Sequence, residues 1–186
     1  MKSTQRGFTL VELLVCVIIV TVLAGLAVPK TQSMAERSRG TAALNWVLGA
    51  IVYARQAAIL NNTLVTLCPG PDDGECGGAW HDTLIVFTDA NGNRRIDDHD
   101  VVLERFDYPS PGSTIRWRAF QNKQYLQMTG EGFTNYQNGN FVYCPADRDI
   151  TFARQLVINI QGRVRVSSDI DNDGIVEDAD GDDLEC

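Results

Sequence analysis

Residues 8–28 constrain this chain more than any other part of it: of these 21 positions only Thr9, Glu12 and Thr21 are polar. As a helix the segment is long enough to cross a hydrocarbon core of roughly 30 Å. One carboxylate, Glu12, lies inside it. A carboxylate within such a helix costs at least roughly 2.5 kcal/mol unless it has a partner or a task, and an amine is the natural partner. Lys2 and Arg6 precede the segment, so a secretory signal cut near Gly25-Leu26-Ala27 is the alternative. An acid near the front of the apolar run argues against it, as does a Gly7-Phe8 junction that would then have no purpose.

Beyond Pro29 apolar residues recur at three- and four-residue intervals: Met34, Leu44, Val47, Leu48, Ile51, Val52, Ala54, Ala58 and Ile59. The spacing predicts an amphipathic helix that Pro29 kinks rather than ends, and that stops at Asn61-Asn62. Short runs rich in β-branched and aromatic residues follow at 64–67, 84–88, 101–107, 114–120, 125–129, 140–143, 156–160 and 163–166, separated by turn-forming segments. The expected class is α+β: a long N-terminal membrane-spanning helix continuing into an amphipathic helix packed on an antiparallel β-sheet head. The length suits one globular head, and 44% hydrophobic residues suffice for its core.

Net charge is -8, which taken alone disfavours a nucleic-acid partner. Its distribution changes that conclusion. Nine acids and no Lys or Arg fall in residues 169–186, leaving fifteen acids against sixteen bases in the rest of the chain. Besides Cys16 in the apolar segment there are four cysteines: Cys68, Cys76, Cys144 and Cys186. If the head is extracytoplasmic they form two disulfides, for which three pairings can be drawn. Cys68 with Cys76 and Cys144 with Cys186 is preferred. The first pair would close the loop containing Pro69, Gly70, Pro71 and Gly74, and the second would tie residues 169–186 to the head. Zinc is the weaker reading, because no CxxC spacing occurs and only His81 and His99 are available.

Gly7, Phe8, Thr9, Leu10, Glu12 and Pro29 together resemble the class III signal of type IV pilins and pseudopilins. The resemblance implies cleavage by a prepilin peptidase after Gly7, N-methylation of Phe8, and pairing of Glu12 with a terminal amine during filament assembly. Further along, the chain resembles the GspH/FimT group of minor pilins and pseudopilins. That likeness rests on Leu67-Cys68-Pro69, on Val86-Phe87-Thr88-Asp89-Ala90-Asn91-Gly92, on Asn138-Gly139-Asn140-Phe141-Val142-Tyr143-Cys144-Pro145, and on Gly162-Arg163-Val164-Arg165. It implies a filament subunit that acts by assembly, in a type IV pilus or a type II secretion pseudopilus. Its partners would be other minor and major pilins or pseudopilins. It would be a single-pass protein of the bacterial inner membrane with its head in the periplasm. The expected divisions are a leader at 1–7, a spanning helix at 8–29, an amphipathic helix at 30–62, a β-rich head at 63–168 and an acidic tail at 169–186. The tail departs from the family pattern.

Two acidic segments suggest calcium as a cofactor. In the stronger, Asp169, Asp171, Asp173, Glu177 and Asp180 offer side-chain oxygens and Ile175 a carbonyl, with Gly174 at the sharp turn of the loop. A solvated acidic run is the plainer reading. In the weaker, Asp89, Asn91, Asn93, Asp97 and Asp100 have suitable spacing, but Arg94 stands where the glycine belongs, which favours a long hairpin loop. Alternation on strands places Arg163 with Arg165, and Arg116 with Arg118, on common faces. The resemblance adds that Gly162-Arg163-Val164-Arg165 matches a motif used for DNA capture in some FimT proteins, which makes double-stranded DNA a candidate partner. The plainer reading is exposed strand arginines paired with neighbouring acids. No catalytic arrangement stands out, and His81 and His99 read as loop residues.

Overall fold

The computed structural model describes residues 7–70 and 74–186, without the side chains of 26–30. The expected leader, apart from Gly7, lies outside the described residues, as does the side chain of Pro29 with the kink assigned to it. Helix α1 spans Leu10–Asn61 and runs through Pro29 without a break. The chain divides into two compact units, Met1–Arg37 and Ser38–Cys186. The second unit takes in the rest of α1 from Ser38 and the acidic C-terminal segment.

In the first unit residues 10–25 are all exposed along an apolar helix, Leu10–Gly25. The part of α1 in the second unit is different. Ala43, Leu44, Val47, Ala50, Ile51, Ala54, Ala57 and Ala58 form its buried face, whereas Val52 and Ile59, expected to be apolar contacts, are exposed, as is Met34 in the first unit. The buried stripe is narrower and richer in alanine than the hydrophobic spacing suggested. Small side chains let the helix approach the sheets closely, and at Gly40 a Cβ would lie 3.1 Å from the Tyr143 ring. Asn62, in the left-handed region at φ 46°, ends the helix, and Thr63 N donates to the Ala58 carbonyl.

Eight strands follow: β1 Val65–Pro69, β2 Leu84–Thr88, β3 Val102–Phe106, β4 Thr114–Ala119, β5 Leu126–Met128, β6 Gly139–Cys144, β7 Arg154–Ile158 and β8 Val164–Val166. They form two antiparallel sheets rather than one, in the orders β3-β2-β1-β5 and β4-β6-β7-β8. One core joins the inner faces of both sheets to α1, with Leu67, Leu84, Leu126, Trp117, Phe141, Tyr143 and Leu156 among its members. The outer face of the first sheet is roofed by loops: Cys68, Ile85 and Phe87 are buried beneath Cys76, Ile96 and Tyr125. A third cluster lies on the outer face of the second sheet. There Val176 and Leu184 pack against Val142, Cys144 and Ala153, so residues 169–186 form a folded cap and not a solvated tail.

Candidate functional site

At the N-terminus the sequence pattern and the helix end meet. Thr9 is the residue before α1, and its N–H and Oγ1 both donate to Glu12 Oε2 at 3.2 Å, while Glu12 N donates to Thr9 Oγ1 at 3.2 Å. This reciprocal arrangement is a capping box, and it satisfies donors that the first turn of a helix leaves orphaned. Glu12 thus has a neutral partner in Thr9, not the amine expected from the sequence, although a Thr three residues before a Glu is a readable capping signal. Phe8 is exposed, and among the described residues no heavy atom would crowd a Cβ at Gly7. Cys16 is a free, exposed cysteine.

Two disulfides staple the second unit. Cys68 joins Cys76 with Cα atoms 5.5 Å apart, and Cys144 joins Cys186 at 5.7 Å. The second bond holds the cap, helped by Arg116 and Arg148, whose guanidiniums donate to the carbonyls of Glu185 and Cys186. Within the cap, Leu184 N donates to the Val176 carbonyl and Asp178 N to that of Asp182. Burial of Arg116 disfavours its charged form and is the largest cause of its lowered pKa, followed by the neighbouring charges of Arg118 and Arg148.

Of the residues proposed for calcium, Asp169, Asp171 and Glu177 are brought together, with carboxylate oxygens within 4.8 Å of one another. Asp173 and Asp180 do not join this group. Asp173 accepts from Ile175 N, and Asp180 N donates to Asp178. The three grouped carboxylates are held by backbone donors: Glu177 accepts from Ile170 N at 2.9 Å, Asp169 from Asn172 N and Gly174 N, and Asp171 from Asp173 N. Oxygen donors of this kind suit a hard cation, three from side chains in a single loop.

The weaker acidic segment is arranged differently. Asp89 is buried and its Oδ2 accepts from Thr66 Oγ1 at 2.6 Å, Gln127 Nε2 at 2.9 Å and Arg94 N at 3.1 Å. Asp97 accepts from Asn91, Asn93 and the His99 backbone, and these bonds hold its carboxyl below the usual range, the His99 bond most of all. Burial pushes Asp100 upward. These oxygens serve to close a loop and are not gathered around one point.

The four arginines do not act as one set. Register places Arg118, Asn140, Val157 and Arg165 in a row across the outer face of the second sheet, and Arg116, Val142 and Gln155 in the next. The cap covers the second row, which takes Arg116. The first row stays open, with Arg118, Arg163 and Arg165 exposed. Gly162 presents Arg163: its φ is +69°, a Cβ there would lie 2.8 Å from the Gly132 carbonyl, and Arg55 on α1 donates to its own carbonyl at 3.0 Å. Of the two histidines, His99 lies in the 91–100 loop, whereas His81 Nδ1 stands 3.4 Å from both Ile115 N and Ile115 O at the edge of β4.

A family model described as Type II transport protein GspH matches residues 43–162, well over half of the chain. The chain belongs to the GspH family. The model of the prokaryotic N-terminal methylation motif matches residues 2–28. A fimbrial protein of Pseudomonas aeruginosa is 30% identical over 105 residues, covering 55% of this chain and 66% of that protein. The type IV major fimbrial protein FimA of Dichelobacter nodosus is 34% identical over 89 residues, 48% of this chain and 51% of that protein. The chain thus spans between half and two thirds of the length of these two relatives. In fold it is similar to the crystal structure of the type IV minor pilin FimU of Pseudomonas aeruginosa, with a TM-score of 0.54 at 17% identity over 73% of this chain and 92% of that one. An apolar N-terminal helix followed by antiparallel sheets is therefore a pilin-like arrangement.

Proposed function

We propose that this chain is a non-catalytic minor pilin or pseudopilin, made as a single-pass inner-membrane protein with its head in the periplasm and assembled into a type IV pilus or a type II secretion pseudopilus. The observation that carries the reading is the helix Leu10–Gly25, which is exposed at every position and apolar at all but Glu12 and Thr21. Exposed apolar surface of this extent calls for an apolar environment, first lipid and then the corresponding helices of other pilins. Prepilin peptidase would cut after Gly7, Phe8 would be N-methylated, and Glu12 would exchange its Thr9 bonds for the amine of a neighbouring subunit. Intact-mass analysis of the membrane form tests this: residues 1–7 should be absent and one methyl present at Phe8. An N-terminus at Val28 would show a secretory signal instead.

A second reading, capture of double-stranded DNA, is favoured by the open row Arg118–Arg165 with Arg163 beside it. Phosphate contacts need only reachable cations, and they make affinity fall steeply with salt. Binding measured at several salt concentrations, with Arg163→Gln and Arg165→Gln lowering both affinity and salt slope, would support it. Binding indifferent to both arginines would remove it.

A further inference from the structure

The two disulfides differ in the surroundings of the sulfur that must leave when a thiol opens them. Cys68 is 2% exposed and lies among Ile85, Phe87 and other apolar side chains, while its partner Cys76 is only half-buried. Cys144 is 1% exposed, and its partner Cys186 is again half-buried. A thiolate therefore reaches Cys76 in the first bond and Cys186 in the second, so that Cys68 and Cys144 are the leaving sulfurs. Departure is faster for a sulfur whose thiolate is stabilised.

Among the described residues no cation donates to Cys68, whereas Cys144 has one in place. Register pairs Arg116 with Val142 and Thr114 with Cys144, which makes Arg116 and Cys144 diagonal neighbours on the outer face of the second sheet. The guanidinium spans that diagonal, and Arg116 Nη2 donates to Cys144 Sγ at 3.9 Å. Such a contact is weak toward a disulfide sulfur and becomes charge-assisted toward a thiolate. Arg116 is also poorly compensated. Its Nε is buried without a partner among the described residues, and its Nη2 otherwise meets the neutral carbonyl of Glu185. Burial and the charges of Arg118 and Arg148 lower its pKa, and Glu185 works against them. A negative charge on Cys144 would offset the remaining excess of positive charge.

We infer that the Cys144–Cys186 bond is a thiol-exchange site, in which Cys186 is attacked, Cys144 leaves, and Arg116 is the positioning residue that holds the departing thiolate. Its substrate class is a dithiol. One thiolate of the reagent bonds to Cys186 Sγ as the Cys144–Cys186 bond breaks, and the electron pair of that bond goes to Cys144 Sγ. The second thiolate of the reagent then displaces Cys186, so the reagent departs as a disulfide and both cysteines are left reduced. Exchange unties residues 169–186 from the second sheet, where Val176 and Leu184 cover Val142 and Ala153. Neither filament assembly nor DNA capture is needed for this chemistry.

The full chain in detergent micelles, with the free Cys16 alkylated beforehand, would be treated with dithiothreitol for graded times, and the freed thiols trapped and mapped by mass spectrometry. Cys144–Cys186 should open at least about tenfold faster than Cys68–Cys76. With the monothiol 2-mercaptoethanol, samples quenched early should carry the adduct on Cys186 and a free thiol at Cys144. The part played by Arg116 is read in the Cys186→Ser chain, in which Cys144 is free and both groups stay on neighbouring strands. There the pH midpoint for alkylation of Cys144 should rise by about one unit or more when Arg116→Gln is added. A cap merely loosened by that substitution would quicken alkylation without moving the midpoint. Opening of the two bonds at equal rates, an early adduct on Cys144, or a midpoint indifferent to Arg116 would each overturn the inference. If the double variant is unstable, the rate ratio and the position of the adduct decide.

Discussion

Single residues carry the N-terminal chemistry and the shape of the turns. Thr9→Ala removes a capping oxygen and should cost the first turn of α1 about 1 kcal/mol, seen as faster exchange at the amides that follow it. Glu12→Ala should still insert in membranes but leave the subunit outside filaments, as fractionation of membranes and sheared filaments would report. Gly162→Ala should cost about 1–2 kcal/mol or more and lower the melting temperature by several degrees, because a left-handed φ and the Gly132 carbonyl both oppose a Cβ. Asp97 gives a pH signature. Its folded pKa lies below the ordinary 3.8, so it contributes stability that is complete above the unfolded value and lost as pH falls through the folded one. The amides of the 91–100 loop should therefore lose exchange protection on acidification below about pH 4, before the core does.

Among the elements, the cap depends on its staple. Cys144→Ser should free residues 169–186 for proteolysis while α1 and the two sheets stay folded, and closing a loop of this size contributes about 4 kcal/mol in chain-entropy terms. Calorimetry tests the carboxylate group of the cap: calcium uptake that disappears with Asp169→Asn is expected, and the absence of heat would leave the three acids with a structural role only. Several elements could be read in advance from residue pattern, because β-branched runs between glycine-rich turns leave little choice but antiparallel strands. The stop of α1 at Asn61-Asn62 was equally plain, since it follows the local rules of helix termini, whereas the capping role of Thr9 at its start was not read. Nor was the buried face of α1. Alanine carries almost no hydrophobic signal, so Ala43, Ala50 and Ala57 went unnoticed while Met34 and Ile59 drew attention. Division into two sheets was also hidden, because strand runs do not state their partners. The cap was masked by its charge: nine acids suggest solvation, and the two apolar anchors, Val176 and Leu184, are isolated among them.

For the whole molecule, the separation of the two arginine rows was beyond the sequence, since it depends on a cap whose position only the fold defines. Arg116 and Arg118 share a face of one strand, yet the first is closed over and the second is open, so substitutions at the two should have different effects. Arg116→Gln should loosen the cap, and Arg118→Gln should leave it in place, a contrast that exchange at residues 176–185 would resolve. The staples differ in reach as well, spanning 8 and 42 residues of chain. Short loops close sooner than long ones, and Cys144 can meet Cys186 only when the cap has settled on β6. During oxidative maturation the molecule should therefore pass through a one-bond form in which Cys68 and Cys76 are already joined and two thiols remain. Timed alkylation should find those thiols at Cys144 and Cys186, so that the arrival of the second bond dates the moment at which the head is complete.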